Sequence, residues 1–248
     1  MKVILTTALA LVAGISTMSA QYLCTEQGTV FTYTETATND GKTESADYKT
    51  TVESVTDENG TQSARMLSVR KVPGNDFAEI KSYSTYTYNP STQLTVYIPM
   101  TADDFKNDFI NTMVEMARSQ GQNVTESDIA ELDKAIRVKG ELSLELPETP
   151  DTAAKIPNKS LKMSVATQTM SFNIWEAKYL GFETVTVPAG TYENCFKMSY
   201  VQKINTPEGV EKNYCTSWFA KGVGEVKTVE ADKKGNVKST TELKSIGK

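Results

Sequence analysis

Residues 51–70 read TVESVTDENGTQSARMLSVR. β-forming residues from Tyr48 to Val55 meet the cluster Asp57-Glu58-Asn59-Gly60, and a second such run follows from Arg65 to Val72. Asn and Gly both tolerate positive φ, so Asn59-Gly60 between two such runs specifies a tight β-hairpin. Upstream, Val30, Phe31 and Tyr33 lie among threonines and are stopped by Asn39-Asp40-Gly41, which adds an earlier strand and turn. Downstream, strands fit Ala78 to Tyr88 and Leu94 to Ile98, with Tyr83, Tyr86, Tyr88 and Tyr97 among them. The first half reads as a β-meander.

The middle changes period. Thr101 with Asp104 three residues later forms a helix N-terminal signature. Phe105, Phe109, Ile110, Met113, Val114 and Met116 then recur at helical spacing until Gly121. A second helix starts at Thr125 with Asp128 and carries Ile129, Leu132 and Ile136 on one face. Strand character resumes at Gly140, and the helical insertion spans about 101–138. A long loop, about 147–160, contains Pro147, Pro150 and Pro157. Beyond it, one strand holds Phe172, Ile174 and Trp175 and the next holds Val185 and Val187. Phe196 to Ile204 and Tyr214 to Phe219 form a hairpin around Pro207-Glu208-Gly209, with Pro207 facing Val210. Gly224 to Val229 and Val237 to Leu243 form the last pair, turning at Asp232 to Asn236. The expected fold is mainly β: a curved antiparallel sheet, open barrel or sandwich, with a two-helix insertion.

Lys2, the apolar run Val3 to Ile15 and the small residues up to Ala20 have the layout of a secretory signal peptide. Removing these 20 residues from 248 leaves 228, read as a single β-rich domain over 21–248. The apolar run is too short to span a membrane, and no later stretch is long enough for a spanning helix. Gln21-Tyr22-Leu23 before Cys24 does not fit a lipobox. The expected destination is therefore the periplasm or the exterior, as a soluble protein.

The composition is 39% hydrophobic and 23% charged, with a net charge of -5, so binding to nucleic acid by charge alone is disfavoured. The chain has no histidine, which removes the commonest general base and metal ligand. The turn clusters fail the calcium-loop pattern, because the twelfth position counted from Asp57 is Ser68. Ser68 and Lys71 would point to opposite faces of a strand, so they form no nucleophile pair. No phosphate-binding glycine motif is present. No catalytic residue, cofactor or metal is expected.

Two segments form a signature: Gly181-Phe182-Glu183-Thr184-Val185-Thr186-Val187-Pro188-Ala189-Gly190-Thr191-Tyr192-Glu193, and Trp218-Phe219-Ala220-Lys221-Gly222-Val223-Gly224-Glu225-Val226-Lys227. With Cys24, Gly28 to Tyr33 and Asp40-Gly41-Lys42, they resemble the TapB-like family of exported bacterial proteins, a domain of unknown function (3108-like). The resemblance implies an antiparallel β protein of the cell envelope and no reaction. In physical terms Pro188 to Thr191 is a turn. Gly222 and Gly224 inside a strand pattern mark a bulge or a close backbone approach, with a ligand contact as the lesser alternative.

The expected function is a non-enzymatic envelope protein that binds an apolar ligand, such as a lipid, or another envelope protein. The candidate pocket lining is Phe105, Phe109, Met113 and Met116. Alternatives are a structural or assembly accessory without a pocket, and a carboxylate-dependent glycan hydrolase. Tyr83, Tyr86, Tyr88 and Tyr97 read first as cross-strand packing and second as a sugar-stacking surface. With three cysteines, one disulfide is possible. The hairpin register places Cys195 opposite Gly222 and Cys215 opposite Gln202, too far apart to join. A bridge would then involve Cys24. The resemblance implies Cys195 as its partner.

Overall fold

The computed structural model describes residues 21–39, 41–72 and 75–248; the expected signal segment lies outside them. In chain order the elements are β1 (Val30–Asn39), β2 (Lys42–Glu58), β3 (Thr61–Val72), β4 (Asn75–Asn89), β5 (Leu94–Met100), α1 (Ala102–Ser119) and α2 (Glu126–Ala135). There follow β6 (Ile136–Pro147), β7 (Lys159–Val165), β8 (Gln168–Val187), β9 (Gly190–Thr206), β10 (Gly209–Ala220), β11 (Gly224–Ala231) and β12 (Val237–Gly247). Each strand pairs antiparallel with the next, and β1 also pairs with β12, closing the sheet into a barrel. Tyr33 sits at the seam, opposite Tyr48 on β2 and Leu243 on β12. Closure leaves no strand at the edge of an open sheet among the described residues.

Local chemistry explains the elements. Asn59 and Gly60 have φ of 53° and 80° and join Glu58 to Thr61 in a two-residue turn, as the hairpin signal requires. The Thr101 side chain caps α1 by accepting from the Asp104 N–H at 3.1 Å. Thr125 and Asp128 form a full capping box on α2.

Three details of the strand pattern differ from expectation. β6 starts at Ile136, directly after α2, where the backbone turns extended. Gly140 marks something else: a Cβ there would lie 2.0 Å from the Ser160 carbonyl oxygen on β7, so the glycine permits close strand approach. Residues expected as two strands, Phe172 to Trp175 and Val185 to Val187, belong to the single strand β8. Register shifts at Trp175/Lys178, Tyr179/Gly181 and Glu183/Val185 interrupt its alternation while pairing to β9 continues. The β9–β10 hairpin turns at Pro207-Glu208, pairing Thr206 with Gly209. Cys215 therefore faces Tyr200 rather than Gln202.

The core includes Phe31, Val52, Leu146, Leu161, Phe196, Phe219 and Leu243, each at most 1% exposed. Tyr22 and Leu23, ahead of β1, are buried with them. The Tyr22 N–H donates to Thr95 Oγ1 at 3.2 Å and the Gly222 N–H to the Gln21 carbonyl at 2.8 Å. This leading segment is thereby fixed between β5 and the β10–β11 turn.

Candidate ligand cavity

An eight-stranded barrel is about filled by its own side chains. With twelve strands this one keeps a partly open cavity of about 150 Å³. Its lining follows from strand periodicity, which sends alternate residues to one face. Tyr48 and Thr50 come from β2, Met66, Ser68 and Arg70 from β3, and Ser82, Ser84 and Tyr86 from β4. Thr50, Ser68 and Ser82 occupy facing positions on three neighbouring strands, and the first two hydroxyls lie 2.8 Å apart. Tyr33 on β1, Tyr97 on β5 and Glu225 on β11 complete the polar wall.

The tyrosines are ordered in pairs. Tyr33 stacks on Tyr48 with ring centroids 5.3 Å apart, and Tyr86 on Tyr97 at 4.5 Å. The Arg70 guanidinium lies 3.9 Å from the Tyr48 ring centre and forms an ion pair with Glu35.

Glu225 is held by its backbone and its side chain. Its carbonyl accepts from the Tyr33 hydroxyl at 2.9 Å, and its N–H donates to the Tyr86 hydroxyl at 3.3 Å. Its carboxylate accepts from Thr228 Oγ1 at 2.5 Å and is also hydrogen-bonded to Ser217. A register shift between Trp218 and Phe219 aims β11 here, and Gly224 precedes with φ of 103°. A Cβ on Gly224 would sit 3.2 Å from the Tyr86 hydroxyl. Gly224 thus serves the close approach expected of the motif, whereas Gly222 lies in the turn between β10 and β11 and the bulge falls just beyond Glu225, opposite Trp218 and Phe219.

Glu225 lies deep in the barrel, although part of its surface faces the cavity. Burial raises its carboxyl pKa above the usual carboxylate range. Burial also raises Tyr33, Tyr48, Tyr86, Tyr97 and Tyr200, and the nearby Glu225 charge adds to each shift. This mutual influence places one carboxyl among five phenols. Among the described residues no group of three or more Cys, Asp and Glu is arranged to hold a metal. The chemistry available is hydrogen bonding, ring faces and one buried acid.

The residues singled out on α1 do not converge on one lining. Phe105 is buried edge-on against Phe172, with centroids 5.1 Å apart, and Phe109 is half-buried against the core. Met113 is 39% exposed and borders a groove between α1 and α2, whereas Met116 is 51% exposed on the surface. Asp104 ties α1 to the barrel instead, through a 2.6 Å ion pair with Arg65.

Cys24, Cys195 and Cys215 all carry free thiols. The buried thiols of Cys195 and Cys215 point at local carbonyls, those of Tyr192 at 3.4 Å and Asn213 at 3.7 Å. The structure shows no disulfide between Cys24 and Cys195. Burial pushes the Cys195 thiol up to about 11 and Cys215 to about 12, which makes both poor nucleophiles.

Of the tyrosines noted in the sequence, Tyr83, Tyr86 and Tyr97 border the cavity, whereas Tyr88 bonds to Glu148 at 2.9 Å. Tyr33, Tyr48, Arg70 and Glu225 escaped sequence reasoning. The one usable signal was Gly222-Val223-Gly224, which marks the irregular backbone immediately before Glu225.

No curated protein matches the sequence. Two solved structures share the fold. A candidate lipoprotein from Parabacteroides distasonis superposes with a TM-score of 0.61 at 17% identity, covering 91% of this chain and 98% of that one. A candidate exported protein with a YmcC-like fold from Bacteroides fragilis gives 0.60 at 16% identity over the same shares. The DUF3108-like family model matches residues 26–243, and the chain belongs to the DUF3108-like family.

Proposed function

We propose that this protein is an exported, non-catalytic binding protein of the bacterial cell envelope that holds one small polar molecule inside its barrel. The observation that carries the reading is the cavity lined by Tyr33, Tyr48, Tyr86, Tyr97, Arg70 and Glu225. Export is supported by the signal-peptide layout of residues 1–20 and by the descriptions of the two structural neighbours. A cavity of 150 Å³ is of the size that holds one benzene-sized molecule, and drug-sized ligands occupy about 300–1,000 Å³. It is too small and too polar for a lipid chain. A chain without histidine, whose buried thiols are held protonated, offers little to activate a nucleophile. That favours holding a molecule over transforming it.

The test is native mass spectrometry of protein purified without denaturation, with the released small molecules identified separately. The expected result is a single small adduct. Ser68→Leu, which fills the cavity, should lose it while keeping the fold. No adduct, together with no thermal stabilisation by any small amine, sugar or carboxylate, would overturn the reading.

A further inference from the structure

We infer that the barrel cavity selects a small organic cation, an amine or quaternary ammonium, held between tyrosine rings and the Glu225 carboxylate. The inference rests on the proposal that the cavity binds a ligand at all.

Charge balance comes first. Two charged side chains line the cavity, Arg70 and Glu225. Arg70 is already neutralised by Glu35 and lies on the Tyr48 ring. Glu225 has no cation within ion-pair distance among the described residues, and its carboxylate is met by the hydroxyls of Thr228 and Ser217. The cavity therefore carries one uncompensated negative charge whenever Glu225 is ionised. An anion entering it would meet that charge, whereas a cation would cancel it.

The walls favour the same sign. Five phenol rings line the space, and the face of an aromatic ring attracts a cation, most where water is excluded. Two of these rings already carry such a contact, Tyr48 under the Arg70 guanidinium and Tyr83 under that of Arg65. Size then limits the ligand. At 150 Å³ the space fits a trimethylammonium or ethanolamine-sized group, not a peptide or an oligosaccharide.

Ionisation links binding to pH. The charged groups acting on Glu225 are Arg70 on β3 and Glu230 on β11. The surrounding phenols of Tyr33, Tyr48, Tyr86, Tyr97 and Tyr200, with the Cys215 thiol, titrate far above it. A cation entering the cavity should displace the Glu225 proton, so affinity should rise with pH through the raised carboxyl pKa.

The experiment is calorimetric titration of the full chain with choline chloride, with sodium chloride as the ionic-strength control. The uncharged isostere 3,3-dimethylbutanol, acetate and glycerol serve as comparison probes. Choline should bind saturably, at least tenfold more tightly than the isostere, and more tightly at pH 8 than at pH 5. Glu225→Gln should remove the tenfold preference and the pH dependence, and Ser68→Leu should remove binding. Equal affinity for choline and its isostere, or unchanged choline binding in Glu225→Gln, would overturn the inference. If acetate or glycerol binds in a Ser68→Leu-sensitive way and choline does not, the cation assignment fails and the ligand cavity stands. If no probe binds and no adduct is found, both fail.

Discussion

The Tyr33 hydroxyl donates to the Glu225 carbonyl at 2.9 Å although the two residues are 192 positions apart. They lie on β1 and β11, which are separated in the sheet by β12. The bond therefore spans a strand and anchors the β11 irregularity to the barrel seam. Tyr86 makes the complementary contact from β4, accepting from the Glu225 N–H. Two phenols thus satisfy the donor and acceptor that the bulge would otherwise leave unpaired inside the barrel.

Removing the first of these phenols should be costly in proportion to what it leaves behind. Tyr33→Phe keeps the ring and its stacking on Tyr48 but strands a buried carbonyl. A loss of about 1–3 kcal/mol is expected, read from urea unfolding midpoints at constant slope. A change below about 0.3 kcal/mol would show that water replaces the phenol and that the bond does not fix the bulge.

Gly224 is expected to resist any side chain. Its φ of 103° and the Tyr86 hydroxyl, 3.2 Å from where a Cβ would stand, combine a backbone penalty with a clash. Gly224→Ala should destabilise by about 1–3 kcal/mol. Gly247→Ala, where no atom lies within 4 Å and no positive φ intervenes, should change stability little. Similar midpoints for the two variants would sink the close-approach account.

Most of the barrel could be read in the residues because hairpin turns and period-2 alternation are local chemistry. Asn59-Gly60, Pro188-Ala189 and the Thr125–Asp128 box each specify their own backbone. What could not be read is which strands face one another across the interior. Tyr33, Arg70 and Glu225 meet because a twelve-strand sheet closes, and closure is encoded in no short window. β8 reads as two strands for a related reason, since its bulges exchange faces while its pairing continues. The α1 stripe is visible as an amphipathic face, but the groove beside Met113 depends on how α2 folds back.

Stability should fall as pH rises above the ordinary carboxylate range. The folded pKa values of Glu225, Glu230 and Asp108 are all raised, chiefly by burial. Over the window between their unfolded and folded pKa values the native state binds more protons, so the stabilisation present in acid is lost as pH increases through the folded values. Arg70 and Glu230 are the charged groups acting on Glu225. Glu225→Gln should flatten the slope in this window without abolishing it, because Glu230 and Asp108 remain. Thermal unfolding from pH 4 to 8 checks this, and an unchanged slope in the variant would show that Glu225 is not the titrating group.

Tyr22 offers the opposite case to Tyr33. It is fully buried and packs on Phe196 with ring centroids 5.5 Å apart, yet its hydroxyl has no hydrogen-bond partner among the described residues. Burying a hydroxyl without a partner costs roughly 1–3 kcal/mol, so Tyr22→Phe should leave stability unchanged or increase it. Tyr22→Ala should instead cost about 3–5 kcal/mol, the usual loss for an aromatic core truncation. It should also free the segment held by the Gly222–Gln21 and Tyr22–Thr95 bonds. Limited proteolysis with N-terminal sequencing reads that release directly. If Tyr22→Phe destabilises as much as Tyr33→Phe, the Tyr22 hydroxyl has a partner in the folded protein. If Tyr22→Ala is neutral and stays protected, Tyr22 does not anchor the leading segment.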